Sequence, residues 1–440
     1  MHYGVVNFDV AQEHFPPQLL FYKSPGQLMR FRNLIVAISV TALVTAAVSC
    51  DDYTGPSESK DITIGGIFSL TGNWATLGVT SKAAMEIGIE DVNAYVAGSG
   101  YHFTASIQDT KLEPNTALSM VTSLKGSGVE VVIGPQSSAE VGVIKPYLDA
   151  NSMVAISQSS TAGSLAIAND NVFRLTPSDT LEAVALVGLM KADGQKTIIP
   201  FWRNDAGNVG LQVATRALFT QAGGVVKPGV QYEPTTTDFA ASLATLKTQV
   251  QTAITERGGT AGVAIAHAGF DEVVGVMNAA SADPVLGSVR WYGTDGTALN
   301  EPLRTNATAA AFARKVSFWT PTPGVDEGAR ARWEPVATRI AARANGAQPD
   351  AFALAVYDAV WITAQAYLAV GGTGNVAALK PAIVAAADQF YGASGWTKLN
   401  PAGDRAFGDF DFFALSQNGS TFSWGLAAQY STQTGVLTRK

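Results

Sequence analysis

Two kinds of apolar spacing alternate along the chain after residue 60. Short continuous apolar runs at 62–68, 103–107, 129–133 and 153–156 read as strands, and the stretches between them, 81–96, 114–125 and 139–150, read as helices. In 81–96 the residues Met85, Ile89, Val92 and Val96 recur at three- and four-residue steps, which places them on one helix face. Pro114 opens the next helix, where its missing N–H is no loss. The rhythm then restarts. Helices at 178–192, 209–222, 239–257 and 271–280 alternate with strands at 197–201, 225–232, 261–266 and 289–292. An apolar segment at 316–319 precedes a long helix at 351–370. The chain closes on β-runs at 407–415 and 421–428, joined through Gln417-Asn418-Gly419 as a hairpin. Continuous apolar strands separated by helices imply parallel sheets covered on both faces. Two such runs imply an α/β chain with two doubly wound parallel-sheet lobes.

The first 60 residues depart from this rhythm. An apolar run at 34–48 follows Arg30 and Arg32, and Ala47-Val48-Ser49 stand just before Cys50. A basic start, a short apolar middle and small residues at the end describe an export signal. A membrane span needs about 20 apolar residues; this run is shorter and is broken by Ser39, Thr41 and Thr45. Cys50, followed by Asp51-Asp52, resembles the lipobox of bacterial lipoproteins, in which the thiol is acylated and becomes the mature N-terminus. Ala47 stands where that motif usually carries leucine. Residues 1–28, with Pro16-Pro17 and Pro25-Gly26 and no periodicity, read as an upstream extension before Met29. The expected layout is therefore a leader at 1–49, then a lipidated cysteine and flexible tether at 50–60.

Charge and composition narrow the class. The chain of 440 residues carries −7, and the leader holds three basic against two acidic side chains, leaving −8 on the remainder. That balance argues against nucleic acid as a partner. The remaining ~390 residues suffice for two domains. One cysteine excludes an intrachain disulfide framework. His2 and His14 lie in the leader, so only His102 and His267 remain. Zinc sites and Ser/His or Cys/His chemistry then lack material, and neither a GxSxG elbow nor a GxxxxGK[ST] loop occurs. No catalytic residues, cofactor or metal are expected. His267 at a strand end reads as structural, and Asp409 with Asp411 as a solvated strand face rather than an acid/base pair.

In an open parallel sheet, ligands sit beyond the carboxyl ends of the strands. The loops there are 69–78, 134–138, 157–161, 202–207, 267–271 and 293–297, and they supply hydroxyls and glycines. Gly134-Pro135-Gln136-Ser137-Ser138 opens one helix, and Ser157-Gln158-Ser159-Ser160-Thr161 follows the next strand. Hydroxyls beside free N–H groups at a helix start suit a carboxylate. Capping accounts for one hydroxyl per helix and not for two clusters on neighbouring strand ends. Tyr292-Gly293-Thr294-Asp295-Gly296 places one acid at another strand end. An acid facing two hydroxyl clusters suits a zwitterion; Asp295-Gly296 as a plain turn stands equally open on spacing alone.

Several ordered segments carry a family resemblance. They are ITIGGIFSLTGNWATLGVTSKAAMEIGIEDVNAY, VEVVIGPQSSAEV with MVAISQSST, TIIPFWRNDAGNVG, VAIAHAGFDEVVGVMNAA, VRWYGTDGTALN, FALAVYDAVWITAQA and GDFDFFALSQNG. In this order they resemble the type I periplasmic solute-binding proteins of ABC transporters, the leucine/isoleucine/valine-binding group, over most of 61–430. The resemblance implies lobe I at 61–177 and 321–400, and lobe II at 178–320 and 401–440. A three-segment hinge would cross near Pro177, Pro321 and Pro401. It implies a ligand carboxylate on Ser138, Ser159 and Thr161, an ammonium on Asp295, and side-chain contacts from Trp74, Leu77 and Phe270. Gly207 stands where the family commonly has an aromatic, which would enlarge the pocket or remove a lid; either Trp202 fills the space or the ligand is larger. The implied function is extracytoplasmic binding of an amino acid, or a related small zwitterion or carboxylate, and its delivery to an ABC permease. The implied form is a monomer anchored to a membrane by lipid on Cys50. The alternative is a ligand-sensing lipoprotein that docks a separate receptor; an end at Lys440 without a membrane or signalling segment favours transport.

Overall fold

The computed structural model describes residues 60–440. The extension, the export signal, Cys50 and all of the tether before Lys60 lie outside the described residues. The first run of elements is β1 (Lys60–Phe68), α1 (Ala75–Tyr95), β2 (Tyr101–Asp109), α2 (Pro114–Gly126), β3 (Val131–Ile133), α3 (Ser138–Ala150), β4 (Val154–Ser157) and β5 (Val172–Arg174). The second is α4 (Asp179–Ala192), β6 (Thr197–Arg203), α5 (Ala206–Gln221), β7 (Val225–Val226), β8 (Val230–Tyr232), α6 (Ala240–Arg257), β9 (Val263–Ala268), α7 (Val273–Ala280), β10 (Arg290–Tyr292), α8 (Glu301–Thr305), α9 (Ala307–Lys315) and β11 (Trp319–Pro323). Then come α10 (Arg330–Arg343), α11 (Ala351–Val370), α12 (Val376–Gln389), the short pair β12 (Tyr391–Gly392) and β13 (Gly395–Trp396), and β14 (Phe410–Asn418), β15 (Thr421–Tyr430) and β16 (Leu437–Arg439).

The first sheet runs β2-β1-β3-β4-β5, all parallel. Its inner strands β1, β3 and β4 are apolar on both faces because both are covered, whereas the edge strand β2 is largely polar and half-exposed. Ile62, Ile64 and Phe68 of β1 pack in one core with α1, α11 and α12, while Ile67 packs in another with α2 and α3. Met85, Ile89, Val92 and Val96 all lie in the first core, as their spacing predicts. α11 is long and apolar enough to cross a membrane, yet two-thirds of it is buried in this lobe. The second sheet runs β16-β15-β14-β11-β10-β9-β6-β7, with β8 also on β6. It is parallel from β7 to β11, and β14, β15 and β16 add an antiparallel edge.

Several elements differ from the sequence reading, each for a local reason. The helix expected at 81–96 starts six residues earlier, at Ala75. Its first turn contains Gly78 and β-branched Val79 and Thr80, weak helix formers held by contacts with neighbouring loops. The strand expected at 225–232 splits into β7 and β8 around Pro228, which has no N–H to donate, and Gly229 at φ 78°. α10 and α12, for which the sequence reading has no element, carry Pro335 and Pro381 inside them. Pro321 lies inside β11, so the second passage between sheets falls at 324–329. The third passage follows Arg405, whose N–H still bonds Arg174 of β5 at 2.8 Å. The expected strand face at Asp409 and Asp411 does not form: Asp409 is exposed but stands just before β14. Asp411 is buried and accepts hydrogen bonds from Gln429 at 2.9 Å and from the Val325 N–H at 3.3 Å.

Candidate functional site

The loop between β1 and α1 is built around Trp74. The Ser69 hydroxyl donates to the Thr71 and Asn73 carbonyls at 2.9 and 2.7 Å, folding the loop back on itself. Gln136, before α3, accepts from the Ser69 N–H at 2.7 Å and donates to the Trp74 carbonyl at 3.2 Å. A Cβ on Gly78 would stand 1.7 Å from the Ser69 carbonyl oxygen, so only glycine allows this approach. Trp74 itself takes φ 58°, a left-handed conformation costly for a bulky residue. The indole thereby reaches the second lobe and stacks on Phe270, with centroids 4.5 Å apart. Beside it, Asn73 donates to Glu272 at 2.6 Å and accepts from the Asp271 N–H at 2.8 Å. The Ala75 N–H donates to Asp271 at 3.1 Å.

The hydroxyl clusters divide their work. Ser137 caps α3, accepting from the Glu140 N–H at 3.2 Å while its own N–H donates to Glu140 at 3.0 Å. That leaves Ser138 free of the capping role. Its Oγ lies 3.0 Å from Ser160 Oγ and accepts from the Ala162 N–H at 3.1 Å. Ser159 donates to the Gln136 carbonyl at 2.9 Å, tying the two strand-end loops together. Arg174 fixes the second loop from below. It donates to the Ser160 and Ala162 carbonyls at 3.2 and 2.7 Å and makes a bidentate pair with Asp404 at 2.5 and 2.7 Å.

Opposite stand carboxyls. Asp295 lies in the turn after β10, and the Gly296 N–H donates to it at 2.7 Å. Burial pushes the Asp295 carboxyl up to about 7; the Gly296 N–H and the Glu182 carboxyl work against this, and the charges of Asp350 and Asp205 add to it. Glu182 of α4 accepts from the Asp295 N–H at 3.1 Å. Burial, then the charges of Asp295 and Asp179, raise it well above the usual carboxylate range. Asp179 begins α4, its N–H bonded to the Thr161 carbonyl at 2.9 Å. Burial pushes its carboxyl up to about 8. The Thr161 hydroxyl, near but short of hydrogen-bond geometry, and Arg174 pull it down, while Asp295 and Asp205 push it further up.

Loops and carboxyls meet in one small enclosed cavity of about 20 Å³, with an adjoining one of about 10 Å³. Such volumes hold about one water each. Ser138, Ser159, Thr161, Asp295, Trp74 and Phe270 line the first, with Ser137, Asp179, Gly207, Asn208 and Leu211. Leu77 lines the second, with Trp74, Asp271, Asn300, Gln348 and Asp350 among others. Trp202 lines neither; it packs under Arg216, 5.5 Å from the guanidinium. Gly207 does not widen the pocket. A Cβ there would meet Ser138 Oγ at 3.5 Å, so the opposite lobe already occupies the space of a ring. Asp179 escaped the sequence reading because Pro177-Ser178-Asp179 has the composition of a helix cap. A larger depression, about 710 Å³, lies near the third passage, where Trp396 and Phe407 stack at 5.6 Å. It is an open groove, and none of the strand-end hydroxyls or the Asp179 group reaches it.

His267 is fully buried between Phe201, Tyr232 and Phe318 and lines neither cavity. Burial lowers it to about 4, against the pull of Glu272, so it is neutral at ordinary pH. Among the described residues no three His, Cys, Asp or Glu side chains come together as a metal site.

Residues 80–418 match the model of the family described as the receptor family ligand binding region. The chain belongs to that family. An uncharacterized protein of Methanocaldococcus jannaschii is 29% identical over 408 residues, spanning 88% of this chain and 94% of that one. The leucine binding protein LivK of Thermotoga maritima superposes with a TM-score of 0.68 at 19% identity, over 86% of this chain and 99% of that one. The branched-chain amino acid transporter substrate binding protein LivJ of Streptococcus pneumoniae, solved with isoleucine, gives 0.65 at 20% identity over 84% and 99%. The two-lobed α/β architecture is thus that of type I periplasmic binding proteins.

Proposed function

We propose that this protein binds an amino acid, or a related small zwitterion or carboxylate, between its lobes and delivers it to an ABC importer without covalent chemistry. One observation carries the reading: Ser138, Ser159 and Thr161 of one lobe and Asp295 of the other line the same cavity. The hydroxyls, set at the start of α3, suit a carboxylate. Asp295, buried among other acids, suits an ammonium. The isoleucine bound to the Streptococcus pneumoniae relative supports the ligand class.

Entry requires movement. The cavity holds about 20 Å³, and Trp74–Phe270 stacking with the Asn73 and Asp271 bonds closes the cleft mouth. The three passages between sheets are the natural hinge for parting the lobes. Lipid on Cys50 would keep the binder beside its permease. A thermal-shift screen of amino acids, amides and small carboxylates tests the reading, because a ligand that binds the folded state raises its melting temperature. At least one zwitterion or carboxylate should do so; silence across the screen would refute the proposal.

A further inference from the structure

Given the zwitterion reading, on which this inference rests, the cleft holds more carboxyl groups than one ammonium needs. Asp179 and Asp295 line the first cavity, Asp271 and Asp350 the second, and neither cavity is lined by a lysine or arginine. The nearby cations are committed elsewhere. Arg174 is bidentate to Asp404, and Arg203, stacked over Phe270, pairs with Asp205 and Glu272. Glu182, behind Asp295, adds a fifth acid.

Asp179 decides the matter. It is 2% exposed, and both of its carboxyl oxygens are buried without a hydrogen-bond partner. α5 passes it on a glycine: a Cβ on Gly210 would lie 2.8 Å from Asp179 Oδ2. Apart from the nearby Thr161 hydroxyl, no donor of the chain serves this carboxyl, which leaves it open to a donor from a ligand. The second cavity repeats the theme with neutral donors alone. Asp271 accepts from the Ala75 N–H at 3.1 Å and from Asn300 at 2.5 Å, and Asp350 from the Ala353 N–H at 2.9 Å. Each carboxylate keeps lone pairs for a cation's N–H groups. Trp74 lines both cavities and forms the wall between them.

We propose that the ligand carries two cationic groups, as a basic amino acid does: Asp179 joins Asp295 at the α-ammonium, and Asp271 with Asp350 receives the distal cation beyond Trp74. A neutral amino acid would leave the second pair of acids without a counter-charge. It would also bring Asp179 a shared ammonium at most. Burial holds Asp271 and Asp350 each up to about 6, consistent with acids awaiting a cation.

Titration calorimetry of the purified protein with L-arginine, L-lysine, putrescine, L-leucine and benzoate tests this. Arginine or lysine should bind at least roughly tenfold more tightly than leucine, the size of one charge-assisted contact. Asp350→Asn, which keeps a competent helix cap, should remove most of that preference and leave leucine nearly unchanged. Asp179→Asn should weaken every amino acid roughly tenfold; melting curves establish that both variants are folded. Leucine binding as tightly as the basic amino acids, with Asp350→Asn silent, overturns this inference and leaves the zwitterion reading standing. Putrescine bound with every amino acid rejected overturns both, and so does heat from none of the probes.

Discussion

Replacing Asp179 by Asn in the ligand-free protein should change how stability depends on pH. The carboxyl is pushed up to about 8 in the folded chain, against about 3.9 in an unfolded one. Below about pH 4 both states hold the proton, and burial costs the acid little. As pH rises the unfolded state releases its proton first, so stability falls by about 1.4 kcal/mol per pH unit until the folded carboxyl ionises near 8. Between pH 5 and 7 this amounts to about 3 kcal/mol. Asn keeps the shape and cannot ionise, so its cost, an unsatisfied buried amide of about 1–3 kcal/mol, is the same at every pH. Urea unfolding of both proteins at pH 5 and pH 7 reads the difference directly, because all other groups titrate alike to first order. The variant's stability relative to the parent should rise by about 3 kcal/mol between the two pH values. A relative stability that does not move with pH would show that Asp179 is solvated or already paired, and the reasoning about the cleft's charge would fail.

Other outcomes follow from the same geometry. Asp295→Ala should weaken amino-acid binding by about 1.5–3 kcal/mol, as loss of a charge-assisted hydrogen bond does; calorimetry giving an unchanged affinity would remove it as the ammonium partner. Gly78→Ala, which sets a Cβ 1.7 Å from the Ser69 carbonyl, should destabilise the fold by about 2 kcal/mol or more, seen as an earlier urea midpoint. Gly207→Phe places a ring where Ser138 already stands; it should keep the lobes from closing and weaken ligand binding at least tenfold, on the order of 1.4 kcal/mol, as read by calorimetry. Cys50→Ser should move the protein from washed membranes to the soluble fraction, and a protein that stays with the membranes would refute the lipid anchor.

Much of the architecture was legible because its causes are local. The row Met85, Ile89, Val92 and Val96 announces a helix face, and the apolar runs of β3, β4 and β9 announce strands buried on both sides. What escaped depends on partners distant in sequence. α1 begins at Ala75 because Gln136 holds the Trp74 carbonyl and Gly78 lies on the Ser69 carbonyl. α10 and α12 have no place in the sequence reading; Val336, Ile340, Leu379 and Ile383 hold them on the first lobe. Within the cleft, the hydroxyl clusters and Asp295 stand out in sequence because each ends a strand. Asp179 and Asp350 do not, since each sits at a helix start and looks like a cap. Only the fold shows that Asp179 and Asp295 line one cavity and that Trp202, one residue inside β6, turns to Arg216 instead.

The most direct test of the central claim is the crystal structure of the protein grown with the amino acid that gives the largest thermal shift. The account predicts density between the lobes, with the carboxylate on Ser138, Ser159 and Thr161 and the ammonium within hydrogen-bond reach of Asp295. Density in the open groove beside Trp396 and Phe407, or a ligand in the cleft turned end for end, would contradict it.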